Sequence, residues 1–385
     1  PVIVFFIAVQ VISAGLTRSG FADRLTVHIL NRVGLQPHKL VFTFLAAGAA
    51  LSMWIVNMSV TAILLPIGLN ILRKAGVSPL RSNFGRALMI ATAWGPAIGG
   101  ISTPVGNGAN IVALGFLRDQ AGIQIDFLRW MMVGVPAALL ILPLAYLVLI
   151  RVFPLEKLNL PEGGPGSETA SGTKLNATEI KAIVIFTVAV LFWVGDSLLV
   201  HMAGFSIPIE TVALAAAIFF FLPGVNILTW KEAQQDIDWG GIILIAAGLS
   251  LGMVIFHTGA ARWLAILAFS SIGGLGLVPR ILVVVLAVEL LKVFFSSNTV
   301  TAVILVPLAI ALATDLNLDI WFLAGPVAVA TSLAFLLVTS SPTNVIAYSS
   351  GYFSIKDFAK AGIPLTLLVP FCITLAFILF GALIR

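Results

Sequence analysis

A bilayer offers no hydrogen-bond partner to a peptide group, so a chain built of long apolar runs has to satisfy its backbone internally, as transmembrane helices do. Runs near 20 residues match the ~30 Å hydrocarbon core, and about ten of them fit along this sequence as one polytopic domain. Of its 385 residues 60% are apolar and 10% charged, whereas an ordinary soluble domain carries roughly 25% charged residues. The expected class is an all-α polytopic membrane protein in contact with lipid. The net charge of +5 is read as cytoplasmic loop charge, not as a nucleic-acid surface. The single cysteine, Cys372, lies in a terminal apolar run and permits neither an intramolecular disulfide nor a cysteine metal site. Pro1 opens directly on an apolar segment with no basic n-region, which is not a signal peptide, and a further N-terminal piece is expected before it.

A polar stretch from Pro154 to Glu179, rich in Gly and Ser/Thr, divides the chain. The two apolar halves repeat each other in order. Ser19–Leu25 matches Thr258–Leu264; Asn57 with Pro66 matches Asn298 with Pro307; Asn110-Ile111-Val112-Ala113 matches Asn344-Val345-Ile346-Ala347; and Asp126 with Gly134-Val135-Pro136 matches Asp357 with Gly362-Ile363-Pro364. All offsets fall between 228 and 241 residues, which predicts a first repeat over 1–151, a linker over 152–179, connecting helices over 180–235 and a second repeat over 236–385. Basic residues surround the Asn57 segment, with Arg18, Arg24, Arg32 and Lys39 before it and Arg73, Lys74, Arg81 and Arg86 after it. After the Asn298 segment come Asp315 and Asp319 instead, so the second repeat is expected to be inverted.

Residues 40–72 and 281–313 are each too long for one span and are interrupted at Ser52–Thr61 and Ser296–Thr301, the plan of a re-entrant helical hairpin with a polar tip. Residues 88–117 and 321–348 are broken by Gly99–Asn110 and Thr339–Asn344, and are expected to form discontinuous helices. A half-helix N-terminus turns free N–H groups and a positive dipole end toward an anion, while unwound carbonyls and Asn or Ser oxygens suit Na⁺. Four such tips would enclose one midplane site.

The run Ser296-Ser297-Asn298-Thr299-Val300-Thr301, followed by Ser341-Pro342-Thr343-Asn344, resembles the divalent anion/sodium symporter family. In the first half Ser52–Met58 resembles that family's hairpin tip, and Gly106-Asn107-Gly108-Ala109-Asn110 its Gly-Thr-x-Pro-Asn loop. The resemblance covers essentially the whole chain. It implies an elevator-type, homodimeric carrier of a small divalent anion, a dicarboxylate or in some branches sulfate, in a bacterial inner membrane, with no cofactor and with Na⁺ as coupling ion. It also implies substrate contact by Asn57, Asn107, Asn110, Ser297, Asn298, Thr299, Ser341, Pro342, Thr343 and Asn344. By the same resemblance Ser52, Asn57 and Gly106 line one Na⁺ site, and Ser296, Asn298 and Ser340 a second. The sequence departs from the pattern at Val56 and Met58, where the family has Ser and Thr, at Asn107, where Thr is usual, and at Val293, where the second ion site has Thr. Each lost hydrogen bond to a charged group is worth about 1.5–3 kcal/mol, which weakens the case for a C4 dicarboxylate.

Plainer roles stand beside these. An Asn-Thr pair in an apolar helix can be packing glue, Gly99, Gly100, Gly106 and Gly108 can serve close helix packing, and Glu289 and Lys292, three apart, can pair on one helix face. His28, His38, His201 and His257 lie near span ends without metal-ligand spacing. The segment Phe21–Val33 is amphipathic, as a surface helix would be. Clustered carboxylates, a His/Asp metal set and a Gly-Lys-Ser/Thr phosphate loop are all missing from the sequence, which argues against an enzyme and against ATP-driven transport. A channel would need a continuous pore-lining ring. A sodium-independent exchanger of the same fold, and a cation/proton antiporter of the wider superfamily, stay open.

Overall fold

In a computed structural model the chain is described over residues 1–33, 36–156, 175–203, 205–260, 262–263 and 274–384. Most of the expected linker 152–179 lies outside these residues, as do Ala261 and Leu264 of the first matched pair and the side chain of His201. Among the described residues every regular element is a helix. Four helices are long and apolar enough to cross a membrane: Phe127–Val152, Ala177–Asp196, Asn298–Asp315 and Ile355–Leu383. Two bent pairs raise the number to at most six; one joins Val2–Arg18 to Phe21–His28 at 60°, the other Trp230–Asp236 to Trp239–Ile255 at 64°. Several of the apolar runs, the expected hairpins and broken helices among them, are therefore not single helices among the described residues. Their polar interruptions end the helices early and divide the runs into shorter pieces.

The pieces are α1 (Val2–Arg18), α2 (Phe21–Val33), α3 (Pro37–Ser52), α4 (Asn57–Lys74), α5 (Asn83–Gly99), α6 (Gly108–Ala121) and α7 (Phe127–Val152). After them come α8 (Ala177–Ala203), α9 (Ile209–Phe219), α10 (Trp230–Asp236), α11 (Trp239–His257), α12 (Leu277–Leu291), α13 (Asn298–Asp315), α14 (Ile320–Ala330), α15 (Pro342–Tyr348) and α16 (Ile355–Phe380). Helices α4 and α13 each run 18 residues from an asparagine and carry a proline at the same place, Pro66 and Pro307. Helices α7 and α16 each run 26 residues. Asp126 caps the first by accepting from the Arg129 N–H at 2.7 Å, and a Ser354–Asp357 capping box starts the second.

The core is centred on α5, which is buried over almost all its length. It crosses α3 so closely that side chains at Gly95 and Gly99 would strike the backbone of Leu45 and Ala49, a small-residue contact of the kind membrane helices use. The two broken segments are backed in the same way. Gly134 of α7 lies against the carbonyls of Ile101 and Ser102, while Trp130 donates its indole N–H to the Ile101 carbonyl at 2.9 Å. Gly362 of α16 lies against the Phe335 carbonyl. Outward-facing Leu139, Leu191, Ile243 and Phe371 are each more than half exposed, an apolar surface suited to lipid and not to water. Cys372 is buried.

At its polar end α5 is held by Glu156, whose carboxylate accepts from the Asn83 N–H at 2.6 Å, the Phe84 N–H at 2.9 Å and the Ser82 hydroxyl at 3.1 Å. Burial pushes this carboxyl up, but the bonds from Phe84, Asn83, its own amide and Ser82 outweigh it and leave the group below its ordinary value. A depressed carboxylate contributes stability that is present above its unfolded pKa and is lost as pH falls through the folded one. In detergent the melting temperature of wild type should exceed that of Glu156→Gln at neutral pH, and the gap should close on acidification below about 4. Gly362→Ala should lower stability by about 1–3 kcal/mol, because the Phe335 backbone cannot move aside. Gly195→Ala, with open space around it, should be neutral or slightly stabilising in the same melts.

Candidate functional site

Four breaks in helical structure meet at one tight cleft of about 80 Å³, smaller than the usual small-molecule site. Its lining takes Asn57, Gly106 and Asn107 from the first half and Ser297, Asn298, Thr299, Ser341, Pro342 and Thr343 from the second. Helices α4, α6 and α13 all begin at this cleft. Their free first-turn N–H groups and dipole ends make it attractive to an anion, while the N–H groups of Ala109, Asn110 and Ser59 are already bonded to Asn107 Oδ1, the Asn107 carbonyl and the Val56 carbonyl. Among the described lining residues none is Lys or Arg, and Asp238 is the one charged side chain.

The other residues expected at the site fall elsewhere. Asn110 is fully buried behind the cleft, and its amide donates to the carbonyls of Gly100 and Thr103, both at 2.8 Å. Asn344 does the same in the second half, donating to Ala334 at 2.8 Å and Leu337 at 3.4 Å. Both asparagines thus reach the tenth and seventh residues before themselves, pinning the unwound backbone of the break that precedes them. The Asn110 oxygen also accepts from the Ser332 hydroxyl at 2.8 Å, which ties the two breaks together; the Asn344 oxygen has no partner among the described residues. Ser296 is exposed and outside the cleft. Ser340 is buried, outside the lining, and its hydroxyl has no partner among the described residues.

Ser52 lies one bond behind the lining. The Asn57 amide faces its hydroxyl at 2.5 Å, the Gly106 carbonyl at 2.8 Å and the Pro96 carbonyl at 3.2 Å. With nitrogen turned toward them, Asn57 donates to all three and accepts from the Asn107 amide at 3.2 Å. With oxygen turned toward them, the amide completes a set of oxygens such as a hard cation gathers. Gly106 has to be glycine here, since a Cβ would come within 2.6 Å of both the Gly100 and the Ser52 carbonyls. Glycine at these positions therefore serves closeness and not handedness: none of Gly99, Gly100, Gly106 and Gly108 has a positive φ.

In the second half Asn298 donates to the Ser332 carbonyl at 3.1 Å, and its oxygen accepts from the Lys292 ammonium at 2.6 Å. Lys292 also donates to the Thr331 carbonyl. Both Glu289 and Lys292 are 2% exposed, yet the amine turns to these two oxygens and not to the carboxylate, whose Oε1 has no hydrogen-bond partner among the described residues. The three-residue spacing suggested an ion pair; the tight turn over Lys292–Phe294 at the end of α12 carries the lysine inward instead.

Sequence reasoning missed three lining residues, Phe6, Gln10 and Asp238. Gln10 accepts from the Asp238 N–H at 2.7 Å, while its Nε2 is buried and has no partner among the described residues. Asp238 accepts from the Gly241 N–H at 2.8 Å at the start of α11. A lone glutamine in an apolar run was the available signal, because intramembrane polar groups are costly unless used.

The family model described as the sodium:sulfate symporter transmembrane region matches residues 1–384. The sodium-dependent dicarboxylate transporter SdcS of Staphylococcus saprophyticus is 28% identical over 387 residues, covering 95% of this chain and 74% of that protein. SdcS of Staphylococcus aureus strain USA300 is 28% identical over 385 residues, with 94% and 72% covered. Among solved structures, the Alcanivorax borkumensis YdaH transporter, reported to have an unusual topology, matches with a TM-score of 0.64 at 16% identity over 98% of this chain and 85% of that one. At that identity the likeness is one of fold.

Two substitutions separate the pinning residues from the lining. Asn110→Ala removes three buried hydrogen bonds and should cost about 2–4 kcal/mol in thermal unfolding. Gln10→Ala breaks only the bond from the Asp238 N–H and should cost about 1 kcal/mol in thermal unfolding, while weakening binding of any anion that takes the Nε2 hydrogens by about tenfold.

Proposed function

Because the chain belongs to the sodium:sulfate symporter family, a family of membrane transporters and not of enzymes, we propose that it is a sodium-coupled secondary carrier of a small divalent anion, in the first instance a dicarboxylate. The observation that carries this reading is the cleft itself. Helix N-termini and the hydroxyls of Ser297, Thr299, Ser341 and Thr343 converge where no cationic side chain lines the wall. Such a site binds a carboxylate through N–H and O–H donors, and a dianion there needs added positive charge. The oxygens of Ser52 and Gly106, joined by that of Asn57 when its amide turns toward them, supply a place for one Na⁺. The names of the SdcS relatives support both the ion and the substrate class.

The two halves act as inverted repeats, residues 1–151 and 236–385, whose hairpins (40–72 and 281–313) and broken helices (88–117 and 321–348) are bound into one transport body. Supporting this, the Ser332–Asn110 and Asn298–Ser332 bonds join the second hairpin and both breaks. Helix α1 and the start of α11 meet the cleft from outside that body through Gln10 and Asp238. In an elevator mechanism the body slides against these elements and carries the anion and ion between faces of a bacterial inner membrane, as a homodimer. First-half donors are sparse at Val56 and Met58, and the Gln10 amide stands in for a missing hydroxyl.

Counterflow in proteoliposomes with labelled succinate, malate, 2-oxoglutarate, citrate and sulfate, run with a Na⁺ gradient and then with choline, tests the proposal. Uptake that needs Na⁺ is expected. Uptake without Na⁺ that requires an internal anion would replace symport by exchange, and no uptake of any anion would favour the cation antiporter. Asn298→Ala should abolish uptake with the protein still folded, and Thr299→Val should raise KM by about tenfold through a lost hydroxyl donor.

A further inference from the structure

We propose that the ammonium of Lys292 is a tethered cation that takes the place of one coupling Na⁺, so that the second half holds no ion site of its own. The inference rests on the carrier reading above and extends it. Asn57 and Asn298 are counterparts, each opening an 18-residue helix at the cleft. Around Asn57 one end of the amide faces oxygens from Ser52, Gly106 and the Pro96 carbonyl near the end of α5, the other end faces the Asn107 amide, and no charged side chain is among these partners. Around Asn298 the corresponding oxygens are already gathered by a charge: Lys292 Nζ lies 2.6 Å from the Asn298 oxygen and donates to the carbonyl of Thr331, the residue that caps α14. Leu51 stands at the place of Lys292 in the first half, and Val293, with no oxygen to offer, at the place of Ser52.

An alkyl-ammonium and Na⁺ make the same demand on a protein: one positive charge and several oxygens directed at it. Lysine adds a four-carbon stem that tethers this charge to the chain. Ser296, expected as a ligand of this site, is exposed and outside the cleft. The side-chain oxygen set is therefore poor for a bare ion, while two of the amine's three hydrogens have acceptors. Glu289, one turn earlier and equally buried, offsets the charge through space, which makes it tolerable at membrane depth. The ammonium stands directly behind Asn298, which lines the cleft between Ser297 and Thr299. Since it never dissociates, each cycle carries one Na⁺ fewer than a carrier with two ion sites.

Radiolabelled Na⁺ binding to the purified full chain, and thermal unfolding titrated with NaCl against choline chloride at constant ionic strength, test this without any anion present. Wild type should bind about one Na⁺ per chain; two would overturn the proposal, whether or not any variant folds. Lys292→Ser removes the charge and leaves a hydroxyl with room for an ion. It should gain a second Na⁺-specific rise in melting temperature, and should lose about tenfold in succinate uptake at low Na⁺, regained as Na⁺ is raised. Lys292→Met fills the space without charge and should gain no Na⁺ response. A folded Lys292→Ser that titrates like wild type, or a Lys292→Met that gains the same response, counts against the tethered cation. Failure of the carrier reading looks different, since wild type would then take up no anion at any Na⁺ level while the binding titrations still read out.

Discussion

Backbone that leaves helical form inside an apolar body has to find its hydrogen bonds in the protein, and here asparagine amides supply them. Asn110 and Asn344 each donate two bonds to carbonyls that an uninterrupted helix would have satisfied. Their cost if removed is the cost of unpaired buried peptide groups, about 1–3 kcal/mol each. Everything else at the cleft follows from that pinning. Once the breaks are held open, the N-termini of α4, α6 and α13 have somewhere to point, and the glycines of α5, α7 and α16 let neighbouring backbone close in behind them.

The second organising feature is the placing of charge. An anion site can be built with cationic side chains in its wall, or with neutral donors in the wall and cations behind it. In this cleft hydroxyls, amides and helix ends form the lining, and Lys292 lies one hydrogen bond away behind Asn298, the arrangement that the second form of anion site calls for. Neutral donors can release a substrate readily, whereas a guanidinium clamp holds it, and release matters as much as capture in a carrier. Asp238 at the same cleft works in the same direction.

Much of this was legible in the sequence, though unevenly. Ser52 and Asn57, Gly99 and Gly108, and Ser297 and Asn298 stand at the ends of helices because polar and small residues interrupt apolar runs there, and such interruptions can be read from composition alone. The roles of individual residues were harder. Asn110 and Asn344 have the composition of ligands and the geometry of struts, and only the carbonyls ten and seven residues earlier distinguish the two. Lys292 at three residues from Glu289 has the spacing of a helical ion pair, but α12 ends just before it and the tight turn redirects the side chain. Gln10 and Asp238 are 228 residues apart, and no local pattern could bring them to one wall.

The bond from Ser332 to Asn110 has a consequence for leakage. Ser332 belongs to one break and Asn110 to the helix that follows the other, so neither side of the cleft can relax outward alone without stretching it. A state in which one half has loosened while the other still grips is the kind of state through which ions slip uncoupled. A buried hydrogen bond of about 1 kcal/mol makes such a state roughly fivefold rarer. A single hydroxyl, contributing nothing to the lining, thus acts as an interlock that makes the two breaks move together.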